Sequence, residues 1–386
     1  MGKTKGKGHP KAKGGGPRAP AARITPQQLY EQAQLALQYD DFDSARTALR
    51  KAVKLDPKNI ECVDALGALL AEVGPEEEAV EVLKQAVSLN PDVGYEKYLY
   101  LGQLLEVPED ALAATRKGVQ VLQAQHAAAQ ATSSDEAPVL SRALSGALCS
   151  LSEMLIAGAQ ERAVSAAAER GCDTAAIEAA SKEAVASVAA EAEHLLSLAS
   201  TADPDSPEPG QALAALRYQQ GRATDALEAL RRSMSLWYTP TNKDEDGEEG
   251  EGGMAAAKGG EDEAMEDAEE DSEDDSEEEE EDGPSYEFRI ESAKLLLELE
   301  DTTATAIDVL EGLIEEDDRV PDAWHLLALA YYSGHQYAEA AEVLAKGQAL
   351  LAKLGAGPED EITQEFADLE SAIKEAITVT GASAAQ

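Results

Sequence analysis

Between Thr25 and Asn90 one pattern of residues is written twice, 34 positions apart. Ala33, Ala45, Leu49, Ala52 and Pro57 in the first copy stand where the second has Gly67, Ala79, Leu83, Ala86 and Pro91. A period of this length constrains the fold more than composition does, because so short a unit cannot bury an apolar face alone and must stack on further copies. The spacing within each copy describes two antiparallel helices. Small residues at the first two places let the paired helices approach closely. The proline ends the second helix, since it has no N–H for the next backbone hydrogen bond. Thr25 and Pro26 open the first helix as a capping residue followed by proline at the first helical position.

The period continues with drift. A third unit opens with Tyr98, Leu101, Gly102 and Leu105 and answers with Ala114, before leaving the pattern at Gly118. Residues 125–138 (QHAAAQATSSDEAP) read as a loop or frayed helix. Leu140, Leu144, Leu148, Leu151 and Leu155 then form a helical stripe, followed by an Ala-rich stretch broken near Gly171, with Asp173 or Thr174 as a fresh cap. This middle is expected to hold helical hairpins that have drifted from the consensus. After Pro204, Pro207 and Pro209 the period returns in Leu213, Ala214, Ala226 and Leu230. Ala306 and Ala340 are again 34 apart, as are Leu310 and Leu344, and Trp324, Leu327, Ala328 and Tyr331 complete the last unit. Ile362, Phe366, Leu369, Ile373 and Ile377 describe one amphipathic helix after Pro358, placed to cover the open end of the stack.

A helix-pair period of 34 with these small and large positions is that of the tetratricopeptide repeat. The expected fold is therefore all-α, a superhelical solenoid of such repeats. A disordered basic tail occupies 1–24, tetratricopeptide and tetratricopeptide-like repeats 25–239, an acidic disordered insertion 240–284, further repeats 285–357 and the capping helix 358–379.

Charge sets the class of partner. The 386 residues carry a net −44, unevenly spread. Residues 1–23 hold seven Lys or Arg and no acid, while 240–284 hold 23 acids against Lys243 and Lys258. Taking that tail at +7 and that block at −21 from the total leaves −30 for the remainder. Such a chain repels nucleic-acid phosphates and attracts strongly basic proteins. The block has almost no apolar residues and repels itself, so it is expected to stay extended, spanning roughly 35–40 Å as a flexible coil. Its Ser272 and Ser276, each with an acid three places on, are candidate phosphorylation sites for acid-directed kinases. Cys62, Cys149 and Cys172 form no Cys-x-x-Cys pair and read as reduced thiols of an intracellular protein. No run approaches the roughly 18 apolar residues of a membrane span, and the N-terminus lacks the apolar core of a secretory signal. A soluble chain acting as a monomer, away from membranes and without direct nucleic-acid contact, is the expectation.

Motifs for chemistry are missing from the sequence. His9, His126, His194, His325 and His335 fit no metal-binding spacing, and neither a phosphate-binding glycine loop nor a Gly-x-Ser-x-Gly elbow occurs. A non-enzyme without catalytic residues, metal or cofactor is expected, and binding is what the architecture offers. The inner groove of such a stack is lined mainly by the first helix of each pair. Register places Gln27, Tyr30, Gln34, Asp64, Ala68, Glu96, Leu99, Gln103 and Glu106 inward in the first three units, and Tyr218, Glu291, Glu298, His325 and Tyr332 later. None of these is Lys or Arg, so the groove suits an extended segment rich in basic residues. It does not suit an acidic C-terminal peptide, which disfavours the carboxylate-clamp co-chaperones.

The Lys/Gly-rich start, the opening ITPQQLYEQAQLALQYDDFDSARTALRKAVKLDP, the late acidic insertion and the closing AWHLLALAYYSGHQYAEAAEVL together resemble the fungal assembly chaperones dedicated to ribosomal protein L4 of the large subunit. The resemblance implies capture of the newly made ribosomal protein through its long basic loop. It also implies that the client is kept soluble and escorted to the nucleus for pre-ribosome assembly, with any import receptor engaged through the client and the chain itself shared between cytoplasm and nucleus. Two other classes stay open: a histone chaperone with interrupted repeats, and a general interaction scaffold that needs no basic client.

Overall fold

The computed structural model describes residues 24–240 and 283–384. The basic tail, nearly all of the acidic block, and Ser272 and Ser276 within it lie outside the described residues. The fold is all-α, with fifteen helices among the described residues. They form two compact units, one up to Gln125 and one from His126 on.

The first unit holds α1 (Pro26–Leu37), α2 (Phe42–Leu55), α3 (Ile60–Val73), α4 (Glu76–Leu89), α5 (Glu96–Leu104) and most of α6 (Pro108–Thr132). The written period is a structural one. Thr25 caps α1 with a reciprocal pair, its hydroxyl accepting from Gln28 N while the Gln28 side chain accepts from Thr25 N. Asn59, 34 residues later, caps α3 by accepting from Cys62 N. Ala33, Ala45, Leu49 and Ala52, and in the second copy Ala79, Leu83 and Ala86, are all at most 1% exposed. Gly67 is where the α3/α4 pair closes tightest: a Cβ there would stand 2.9 Å from a methyl of Leu83. The third pair departs by one position. Gly102 faces Thr115, whose Oγ1 a Cβ at 102 would strike, and Ala114, the expected partner, is only half-buried.

Residues 125–138, expected as a loop or a frayed helix, are mostly helix. Alanine is the best helix former, so α6 runs on through the Ala-rich stretch to Thr132, and only residues 133–136 turn the chain, Ser133 at φ 50°. His126 and Ala129 are buried on this extension, with His126 Nε2 2.9 Å from Ser141 Oγ.

The second unit begins with a single long hairpin rather than several: α7 (Ala137–Glu169) lies against α8 (Thr174–Ala202). Gly171 at φ 70° makes the turn, and Asp173 caps α8 by accepting from Ala176 N. Repeats resume with α9 (Glu208–Gln219), α10 (Ala223–Met234), α11 (Tyr286–Glu298), α12 (Thr303–Glu316), α13 (Pro321–Ser333) and α14 (Tyr337–Leu354). Ala214, Ala226, Leu230, Ala306, Leu310 and Ala340 are fully buried along one continuous core. The closing α15 (Glu361–Ala384) sets Phe366, Leu369 and Ile373 into α14 and α13, while Ile377 stays exposed. Phe366 enters the space left by Gly347, where a Cβ would come within 2.5 Å of its ring.

By length and apolarity α7 alone among the described residues could cross a membrane. Serines, Arg142 and Glu153 interrupt any unbroken apolar run in this helix, but averaged over 18 residues it qualifies, against the expectation from the sequence. Its Leu144, Leu148, Leu151 and Leu155 are buried against protein, the behaviour of a core helix.

Candidate functional site

In the first unit, the first helix of each pair turns residues into one small cleft of about 270 Å³. Its walls are Tyr30 of α1, Glu61, Asp64, Ala65 and Ala68 of α3, and Glu96, Lys97 and Tyr100 of α5. Tyr100 Oη donates to Glu72 Oε1 at 2.6 Å, and burial followed by that bond pushes its phenol up to about 12. Asp64 and Lys97 form an ion pair at 3.7 Å, with the Lys97 side chain only 3% exposed. Burial raises the Asp64 carboxyl above its ordinary value, and the ammonium of Lys97 works against that rise.

A larger cleft of about 770 Å³ lies in the second unit, between α7, α9 and α11. Cys149 and Glu153 come from α7, Glu208, Gln211 and Tyr218 from α9, and Phe288, Glu291, Lys294 and Glu298 from α11. Gln211 fixes two of these helices to each other, its Nε2 donating to Phe288 O at 2.8 Å and to Ser292 Oγ at 2.7 Å. Tyr218 Oη donates to Glu298 Oε2 at 2.6 Å, a bond that raises the phenol pKa. Lys294 pairs with Glu291 at 2.7 Å on its own helix. Solvent still reaches the Glu153 side chain, yet the enclosing protein raises its pKa, first by burial and then by the charge of Glu208. Burial, then Glu208 and Glu153, push the Cys149 thiol up to about 12. Four carboxylates thus face a space that supplies one lysine, and a cation entering it would lower their electrostatic energy.

Of the residues that register placed inward, Tyr30, Asp64, Ala68 and Glu96 meet in the first cleft, and Tyr218, Glu291 and Glu298 in the second. The others are elsewhere. Gln27, Gln34, Gln103 and Glu106 are exposed and line neither cleft, Glu106 because α5 ends two residues before it. Leu99 packs over Gly118 of α6, which a side chain at 118 would prevent. His325 lies against Phe366 of the closing helix, ring centroids 5.2 Å apart, because α15 covers that stretch of α13. Tyr332 packs on Tyr337 at the turn into α14. The clefts also contain the cations Lys97 and Lys294, which correct the expectation of a lining free of lysine. Sequence register missed Glu153 and Glu208: α7 stands in the stretch where the period is lost, and Glu208 opens α9 beside Pro207 and Pro209. Among the described residues no group of three or more His, Cys, Asp or Glu is placed to hold a metal ion.

Residues 29–59 match the family model described as tetratricopeptide repeat. The probable assembly chaperone of rpl4 from Schizosaccharomyces pombe is 26% identical over 298 residues, covering 76% of this chain and 70% of that protein. The probable assembly chaperone of rpl4 from Emericella nidulans is 26% identical over 314 residues, covering 78% of this chain but 63% of its own length, just under two thirds. A solved structure of an assembly chaperone of RpL4 (Acl4), residues 1–338, superposes with a TM-score of 0.57 at 24% identity, covering 82% of this chain and 99% of that one. The fold is accordingly an all-α tetratricopeptide-repeat solenoid, and the chain is similar in sequence and in fold to assembly chaperones of rpl4.

Proposed function

We propose that this chain is an assembly chaperone of ribosomal protein L4, holding the newly made protein through an extended basic segment and keeping it soluble until it is incorporated into the large subunit. The observation that carries the reading is the pair of clefts walled by carboxylates in a repeat protein whose relatives are named for that client. A basic segment that is extended until RNA neutralises it needs a partner offering negative charge over several contact points rather than one strong bond. The chain acts by binding, without a chemical step. It works as a monomer and accompanies its client from cytoplasm to nucleus, where any import receptor is engaged through the client rather than through the chaperone.

Purified chain is incubated in parallel with ribosomal protein L4, with core histones and with a neutral protein of similar size, near physiological salt. Retention of ribosomal protein L4 well above histones is expected. Equal retention of histones would favour a general acidic chaperone, and retention of neither would leave only a scaffold without a basic client.

A further inference from the structure

The Asp64–Lys97 pair is odd for a structural ion pair. Lys97 Nζ and Asp64 Oδ1 are both buried, and neither has a hydrogen-bond partner among the described residues, although they stand 3.7 Å apart. A buried charge left without hydrogen bonds is costly, and an ion pair alone offsets that cost only in part. The residues around it hold the arrangement open. Gly94 at φ 78° brings the chain into α5 so that the lysine turns inward, and a Cβ there would stand 3.5 Å from Nζ. Ala65 and Ala68 are too short to fill the space above α3, and Tyr30 and Tyr100 flank it. One donor and one acceptor thus lie side by side beneath the cleft, Lys97 covered and Asp64 with 36% of its side chain still exposed, set among the further acids Glu61 and Glu96.

We propose that this pair is a main-chain clamp: it holds one residue of an extended polypeptide, Lys97 donating to that residue's carbonyl and Asp64 accepting from its N–H. In an extended chain the N–H and C=O of one residue point to the same side, which is how a neighbouring strand is bound in an antiparallel sheet. A donor and an acceptor a few ångströms apart complement that edge, as in other recognition of peptides through the main chain. Glu61 and Glu96 then favour basic side chains on either side, so the clamp supplies register and the acids supply sign. This subsite rests on the reading of the chain as a holder of an extended basic client, and it adds that the client's backbone is read as well as its charge.

The full-length chain is titrated with 15-residue peptides tiling ribosomal protein L4, and the tightest binder is then rescanned with a single backbone ester at each position. The same scan is run on D64L/K97M, which replaces the pair with apolar groups of similar shape and leaves no buried charge behind. One ester position is expected to weaken binding to the unaltered chain by about tenfold, the scale of losing a hydrogen bond to a charged group. At that position the double variant should show less than a twofold loss. Ester losses of equal size in both proteins, or no sensitive position, would overturn the clamp while leaving the client intact. If the tightest peptide responds to replacement of an Asn or Gln side chain instead, the pair reads a carboxamide and the main-chain assignment is wrong. Failure of both the peptides and whole ribosomal protein L4 to bind the unaltered chain would overturn the functional reading and the clamp with it.

Discussion

The imidazole of His325 lies between α13 and the ring of Phe366, where burial holds its pKa below 6.5 while the charge of Glu365, a hydrogen bond with its backbone, and the charge of Asp322 pull it back up. Because the folded value is lowered, the unfolded chain takes up the proton more readily. Stability from this site is therefore complete above pH 6.5 and declines as the pH falls through that value toward the folded pKa. Thermal unfolding between pH 7.5 and 5 should show α15 loosening first, followed by Trp324 fluorescence. H325L should flatten that dependence; an unchanged pH profile in H325L would mean that other groups govern it. The same residue shows where register reasoning stops. Its position on a first helix was legible, but the later helix that covers it depends on how far α15 reaches back over α13.

Four of the hairpins share a turn that their sequences disguise. Asp40, Gly221, Asp301 and His335 each sit five residues before a fully buried alanine, Ala45, Ala226, Ala306 and Ala340, and each has a left-handed backbone, with φ of 53°, 74°, 61° and 61°. In three of them the next N–H reaches back five residues: Asp41 N to Ala36 O, Arg222 N to Arg217 O and Gln336 N to Tyr331 O, at 2.9–3.0 Å. Two aspartates and a histidine tolerate this strained conformation because the alanine contact beyond fixes the crossing of the helices. Glycine adopts this conformation without the Cβ penalty, so D301G should stabilise the second unit by up to about 1 kcal/mol in chemical denaturation. A loss instead would mean that the Asp301 side chain contributes more than the strain costs. These alanines and the leucines four residues after them were legible in the sequence, since close helix packing tolerates few residues there. The α7/α8 hairpin was not, because alanine fits a buried and an exposed face equally well, and periodicity then carries no phase.

Charge governs the whole molecule. Outside the tail and the acidic block the chain still carries −30, so attraction for a basic client belongs to the folded units as well as to the block. Exposed ion pairs are individually worth only about 0.2–1 kcal/mol, but a field summed over many acids speeds encounter and fades with salt. Stopped-flow association with ribosomal protein L4 should slow steeply between 50 and 300 mM salt. Deleting residues 240–284 should lower the on-rate while the dissociation rate changes little. An on-rate indifferent to the deletion would confine attraction to the clefts. At its far end the stack is shut by a missing side chain: Phe366 fills the volume that any larger residue at 347 would claim. How firmly the last helix seats is thus decided in the helix beneath it, and one added methyl group at that glycine would unlatch a segment to which it does not itself belong.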